Sequence, residues 1–67
     1  MKLSARNQLK GKVKSVKLGN VMAEVVVDVA GQTVVSAITR GSAEDLHLAT
    51  GDDVTVIIKS TEVMIAK

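Results

Sequence analysis

A chain of 67 residues has room for one domain, taken here as residues 1–67, and it buries only about 60% of the surface its unfolded form exposes, so it is marginal as a monomer without a staple. It has no cysteine and one histidine, which excludes disulfides and ordinary zinc sites, and no Phe, Trp or Tyr, while 46% of it is hydrophobic; oligomerisation is the staple that remains. The formal charge of +2 is mildly basic, and with no apolar run near the ~18 residues of a membrane span and no signal-peptide core the reading is a cytoplasmic protein with no membrane partner.

The positive charge gathers early: Lys2, Arg6, Lys10, Lys12, Lys14 and Lys17 precede the first acid. Such a cluster suits nucleic acid, a membrane or a small anion. From Leu9 to Leu18 the chain alternates as a strand, with Leu9, Gly11 and Val13 on one face and Lys10, Lys12 and Lys14 on the solvated other. Val16 and Leu18 reverse the phase, which predicts a bulge or bend near Ser15. Gly19-Asn20 is a turn, since both residues tolerate positive φ. Val21 to Val29 reads as a second strand with Ala23, Val25, Val27 and Val29 facing inward, and the tight Ala30-Gly31 connection makes Gln32 to Thr39 its hairpin partner.

A single helical turn is expected over Ser42-Ala43-Glu44-Asp45-Leu46, with Ser42 as N-cap and the acids in the first turn. Leu46 and Leu48 would plug the end of the sheet, and His47 is read as a surface residue. Thr50 to Asp53 is a turn cluster; Val54, Val56 and Ile58 then line one face of a strand, Ser60-Thr61-Glu62 bends, and Val63 to Ala66 forms a last strand. Three strands, a short helix and two strands give an all-β chain in the element order of an OB-like five-stranded β-barrel, with one short helix between strands 3 and 4. In that topology the first strand pairs antiparallel with the fourth, which sets Ser4-Ala5-Arg6 beside Lys59-Ser60. Val26, Val34, Ile38, Ile57 and Met64 are more than so small a barrel can hold, so another subunit is expected to cover some of them.

Ser4-Ala5-Arg6-Asn7-Gln8 has the look of half an anion clamp. Arg6 is permanently charged with a rigid fork of donors, Ser4 adds a short one, and on extended backbone the two share a side. Together with Leu9-Lys10-Gly11-Lys12-Val13, Ala37-Ile38-Thr39-Arg40-Gly41-Ser42 and Ile58-Lys59-Ser60-Thr61-Glu62-Val63-Met64-Ile65, this segment makes the chain resemble the molbindins, the Mop family of small molybdate- and tungstate-binding TOBE-type domains. The likeness runs through nearly the whole chain in order. It implies a homohexamer built as a trimer of dimers, with oxyanion bound at subunit interfaces and a role in molybdenum storage or homeostasis. The resemblance also implies the ligand set: Ser4 and Arg6, Thr39 and Ser42, and Lys59 and Ser60 fall on the family's motif positions, with Ala5, Gly19 and Asn20 as backbone donors.

A tetrahedral dianion needs donors converging from several sides and few acceptors, and that set supplies two cations and four hydroxyls. Molybdenum would then be held as molybdate, or tungsten as tungstate, without a direct metal ligand from the protein and without a further cofactor. Each residue also has a plainer role: Ser42 as a helix cap, Thr39 as a strand former, Lys59 as a snorkelling strand end. An enzyme is disfavoured, because His47 has no partner in sequence and neither a phosphate loop nor metal-ligand spacing occurs. A nucleic-acid-binding OB-fold is the nearer rival, yet such folds stack bases on aromatic side chains and this chain has none. A purely structural oligomerisation module would share the fold but has no need of Arg6 or Lys59.

Overall fold

Alternating side chains do turn most of the chain into strands. The computed structural model describes residues 2–67, with β1 (Asn7–Leu18), β2 (Met22–Val29), β3 (Gln32–Thr39), helix α1 (Arg40–Asp45), β4 (Asp53–Ile58) and a 3-10 turn at Ser60–Glu62. The four strands form one antiparallel sheet in the order β3-β2-β1-β4. β1 is the hub, pairing with β4 from Asn7↔Ile58 to Lys12↔Asp53 and with β2 from Lys12↔Asp28 to Leu18↔Ala23.

The phase reversal in β1 is a bulge. Val13 pairs with Val27 and Ser15 with Val26, so Lys14 has no opposite number, and the extra residue lets Val13 and Val16 both face inward. The unpaired stretch is satisfied by the loop before β4: the Val13 N–H donates to the Asp52 carbonyl at 2.9 Å, Gly51 N–H to the Val13 carbonyl at 2.8 Å, and the Thr50 hydroxyl to the Lys14 carbonyl at 3.3 Å. Around the bulge sits the core of Val13, Val25 and Val27, with Val16, Val29, Ile38, Leu48, Val54 and Val56 packed against it. Gly11 allows the strands to close here, since a Cβ on it would lie 2.7 Å from the Asp28 carbonyl oxygen and 2.7 Å from Val27 Cγ1.

Two expectations are corrected. The helix begins earlier than Ser42: Thr39 is its N-cap, extended at φ −68° and ψ 149°, and its hydroxyl accepts the Ser42 N–H at 3.0 Å. The reason is that β3 still pairs at Thr39, opposite Met22, so the chain leaves the sheet and enters the helix at one residue. Ser42 therefore stands inside α1, and Glu44 and Asp45 fall in its later part, with no acid in the first turn. The helix closes with the paired bonds of a Schellman motif, His47 N–H to the Glu44 carbonyl and Leu48 N–H to the Ala43 carbonyl, and exposed His47 takes the left-handed position at φ 51°.

The second correction concerns the fifth strand. Val63 to Ala66 pairs with nothing in its own sheet, because the 3-10 turn at Ser60–Glu62 follows directly on β4 and leads the chain off it. Met64 and Ile65 are 92% and 88% exposed. β3 and β4 are consequently the two edges of an open sheet. The cleft between them is lined by Ile38, Leu46, Leu48, Val54 and Val56. Of the surplus apolar residues, Val34 and Ile38 lie on the inner face opposite Val27 and Ala23, Val26 is half-buried opposite Val35, and Ile57 and Met64 stay exposed.

Candidate functional site

The first candidate group forms where β1 begins and β4 ends. Asn7 pairs with Ile58, and its side-chain Nδ2 also donates to the Ile58 carbonyl at 3.1 Å. One step further out, Arg6 and Lys59 leave the same end of the strand pair, followed by Ala5 and Ser4 on one side and Ser60 on the other. Gln8 Nε2 donates back to the Ala5 carbonyl at 2.8 Å, closing residues 5–8 just after the bend at Ser4. Ser4, Arg6, Lys59 and Ser60 are all exposed, and Ala5 is half-buried.

A second group forms at the opposite end of the sheet, where β1 stops and β3 runs into α1. The Thr39 hydroxyl accepts the Ser42 N–H and donates its own proton to Ser42 Oγ at 2.8 Å. With that direction of donation the exposed Ser42 hydroxyl keeps its own proton uncommitted. Opposite, in the β1–β2 loop, the Gly19 N–H already donates to the Met22 carbonyl at 2.7 Å, and a Cβ at Gly19 would come within 2.9 Å of that oxygen. Gly19 therefore shapes the turn; among the described residues no backbone bond engages the N–H of its neighbour Asn20.

Topology separates the two groups. β1 is 12 residues long, on the order of 35 Å of contour at about 3.3 Å per residue. One group lies beyond its first residue and the other beyond its last. Within one chain, then, Arg6 is brought to Lys59 and Thr39 to Ser42, with the Gly19–Val21 turn that contains Asn20 bonded to Arg40 at the same end of the sheet, but the first set is not brought to the second.

The charges sort in the same way. Among the described residues the ion pairs are Lys12–Asp53, at 3.2 Å with side chains 62% and 87% exposed, and Arg40–Glu44, at 2.7 Å. Arg6 and Lys59 belong to neither. No group of three or more His, Cys, Asp or Glu able to hold a metal ion occurs among the described residues, and no helix there is long and apolar enough to cross a membrane.

Sequence reading missed Arg40. Its guanidinium donates to Glu44 Oε1 through Nε at 2.7 Å and to the Gly19 carbonyl through Nη1 at 3.3 Å, tying α1 to the β1–β2 loop. The spacing of Arg40 and Glu44, four residues apart, was the available signal for the first bond. Nothing local signals the second, which spans 21 positions.

Comparison with known proteins bears on this arrangement. Molybdenum-pterin-binding protein 3 of Clostridium pasteurianum is 56% identical over 66 residues, 97% of each chain. A molybdate binding protein from Sporomusa ovata, of known structure, superimposes with a TM-score of 0.96 at 46% identity, covering 100% of both chains. The cytoplasmic molybdate-binding protein ModG, solved with molybdate bound, does so with a TM-score of 0.85 at 41% identity over 90% of this chain and 43% of that one. Residues 3–65 match the model of the TOBE domain. By that match, and by identity along nearly its whole length, the chain belongs to the TOBE domain family.

Proposed function

We propose that this chain binds molybdate, and tungstate equally, as an oxyanion between subunits of a cytoplasmic homo-oligomer, a trimer of dimers, serving molybdenum storage or homeostasis. It acts as a binding protein and not as an enzyme, it is a single domain over residues 1–67, and it has neither nucleic acid nor membrane as partner. The carrying observation is the separation of the donor groups: Ser4, Arg6, Lys59 and Ser60 stand beyond one end of β1, and Thr39, Ser42 and Asn20 beyond the other. Each set is too small to surround a tetrahedral dianion. A second copy, turned to set its far end against this near end, completes the shell, and two-fold symmetry then makes two equal sites.

The donor set supports the ligand. Arg6 and Lys59 supply charge without a competing carboxylate, the hydroxyls of Ser4, Ser42 and Ser60 and the N–H groups of Ala5 and Asn20 supply neutral donors, and Thr39 orients Ser42. Molybdate and tungstate arrive fully deprotonated and match such a shell, whereas hydrogen phosphate carries a proton for which the shell offers no carboxylate, only hydroxyls that must turn from donor to acceptor. The assembly also completes the barrel: Val63 to Ala66 of one copy is the fifth strand of another, laid in the apolar cleft between the edges of β3 and β4.

Mixing defective subunits tests the interface. A chain carrying Arg6→Ala and Lys59→Ala, and a chain carrying Thr39→Val and Ser42→Ala, are each expected to lose molybdate binding by calorimetry. Co-refolded in equal amounts, they are expected to regain about a quarter of the wild-type sites, because some interfaces then join two intact halves. No regain would place the whole site within one chain.

A further inference from the structure

Ser42 and Asn20 sit on different segments, and what joins those segments is Arg40. Its backbone N–H donates to the Val21 carbonyl at 2.7 Å, its Nη1 to the Gly19 carbonyl at 3.3 Å, and its Nε to the Glu44 carboxylate at 2.7 Å. The first two bonds flank Asn20 on either side. The third holds the guanidinium against α1, the helix that carries Ser42. A planar fork can meet two acceptors at once in fixed directions, which a lysine ammonium, a single point on a flexible stem, does not do.

We propose that Arg40 is a positioning residue for the oxyanion site: it fixes the Asn20 N–H relative to the Ser42 hydroxyl and does not itself touch the ligand. This rests on the assignment of Ser42 and Asn20 to that site. Two of the guanidinium nitrogens are committed to Gly19 and Glu44, and the Glu44 carboxylate stands against the charge. An arginine kept for direct anion contact would not be neutralised by its own helix.

Glu44 gives the test a sign. If Arg40 positions the loop, Glu44→Gln loosens the guanidinium and weakens binding; if Arg40 attracts the ligand by charge, Glu44→Gln removes a competing anion and tightens it. The experiment is molybdate calorimetry on the intact chain for wild type, Arg6→Ala, Arg40→Ala, Arg40→Lys and Glu44→Gln, with amide hydrogen exchange in the ligand-free proteins at Gly19 and residue 40, whose N–H groups donate to the Met22 and Val21 carbonyls. Arg40→Ala, Arg40→Lys and Glu44→Gln are each expected to weaken molybdate binding about three- to tenfold. Exchange at the bonded amides of Gly19 and residue 40 should quicken, while the unfolding midpoint barely moves because the Arg40–Glu44 pair is exposed. Wild-type affinity in Arg40→Lys, tighter binding in Glu44→Gln, or unchanged exchange at the loop overturns the role of Arg40. If Arg6→Ala binds as wild type does, the oxyanion assignment falls and the positioning role with it; if Arg6→Ala loses binding and the Arg40 and Glu44 variants do not, only the role of Arg40 falls.

Discussion

Ala30 stands at φ 50° and Gly31 at φ 84°, the two left-handed residues of a type I′ turn between Val29 and Gln32, which pair across it. Glycine takes that conformation freely; alanine does so against contact between its Cβ and the next carbonyl, at about 1 to 2 kcal/mol. Asparagine is the residue favoured in the first place of such a turn. Ala30→Asn is therefore expected to stabilise the protein by about 0.5 to 1 kcal/mol, a rise of several degrees in melting temperature for a chain this short. The measurement is thermal unfolding at one fixed protein concentration, since self-association would shift the midpoint by mass action. A lower midpoint would mean that the Ala30 methyl makes packing contacts worth more than the strain. The same scale explains why local reading found this turn: two residues between apolar alternations fix its type almost alone.

Elements were legible where their cause is local and obscure where it is not. The bulge in β1 shows in sequence because the apolar phase flips between Val13 and Val16, and the register records that flip. The helix cap does not show. Thr39 and Ser42 are both capping types, and the choice between them is made by the pairing of Thr39 with Met22 on another strand. Likewise Val63 to Ala66 has the composition of a strand, but its alternation cannot name the edge it pairs with, and the turn at Ser60–Glu62 denies it one in its own sheet. Of the candidate site, the approach of Arg6 to Lys59 followed from barrel topology, while the bond from Arg40 to Gly19 could not. Gly11 shows how tightly the elements constrain one another: Gly11→Ala would drive a Cβ to 2.7 Å from the Asp28 carbonyl oxygen, and that backbone is held in the β1–β2 ladder. The expected cost is about 1 to 3 kcal/mol, the usual range for overpacking. Urea unfolding at fixed protein concentration measures it, and a neutral result would show that the two strands can part at this point without loss.

At the scale of the molecule, the open edges and the exposed tail call for each other. A chain of this size with β3 and β4 unpaired on their outer sides, an apolar cleft between them and Met64 and Ile65 in solvent carries, in the proposed assembly, both halves of an interface. Removing residues 63–67 tests this directly. The truncated chain keeps every strand and the core around Val13, Val25 and Val27, so it is expected to retain β-type circular dichroism, to sediment as a smaller species than the full chain, and to lose molybdate binding along with the assembly. Linkage supplies the complementary measurement. A ligand bound only between subunits stabilises the oligomer over its parts, so saturating molybdate should lower the concentration at which the full chain dissociates, by an amount that grows with each site filled. Sedimentation across a dilution series, with and without molybdate, reads both effects together. A truncated monomer that binds molybdate as well as the full chain would require a complete shell in one subunit, which the 12 residues of β1 between Arg6 and Gly19 hold apart.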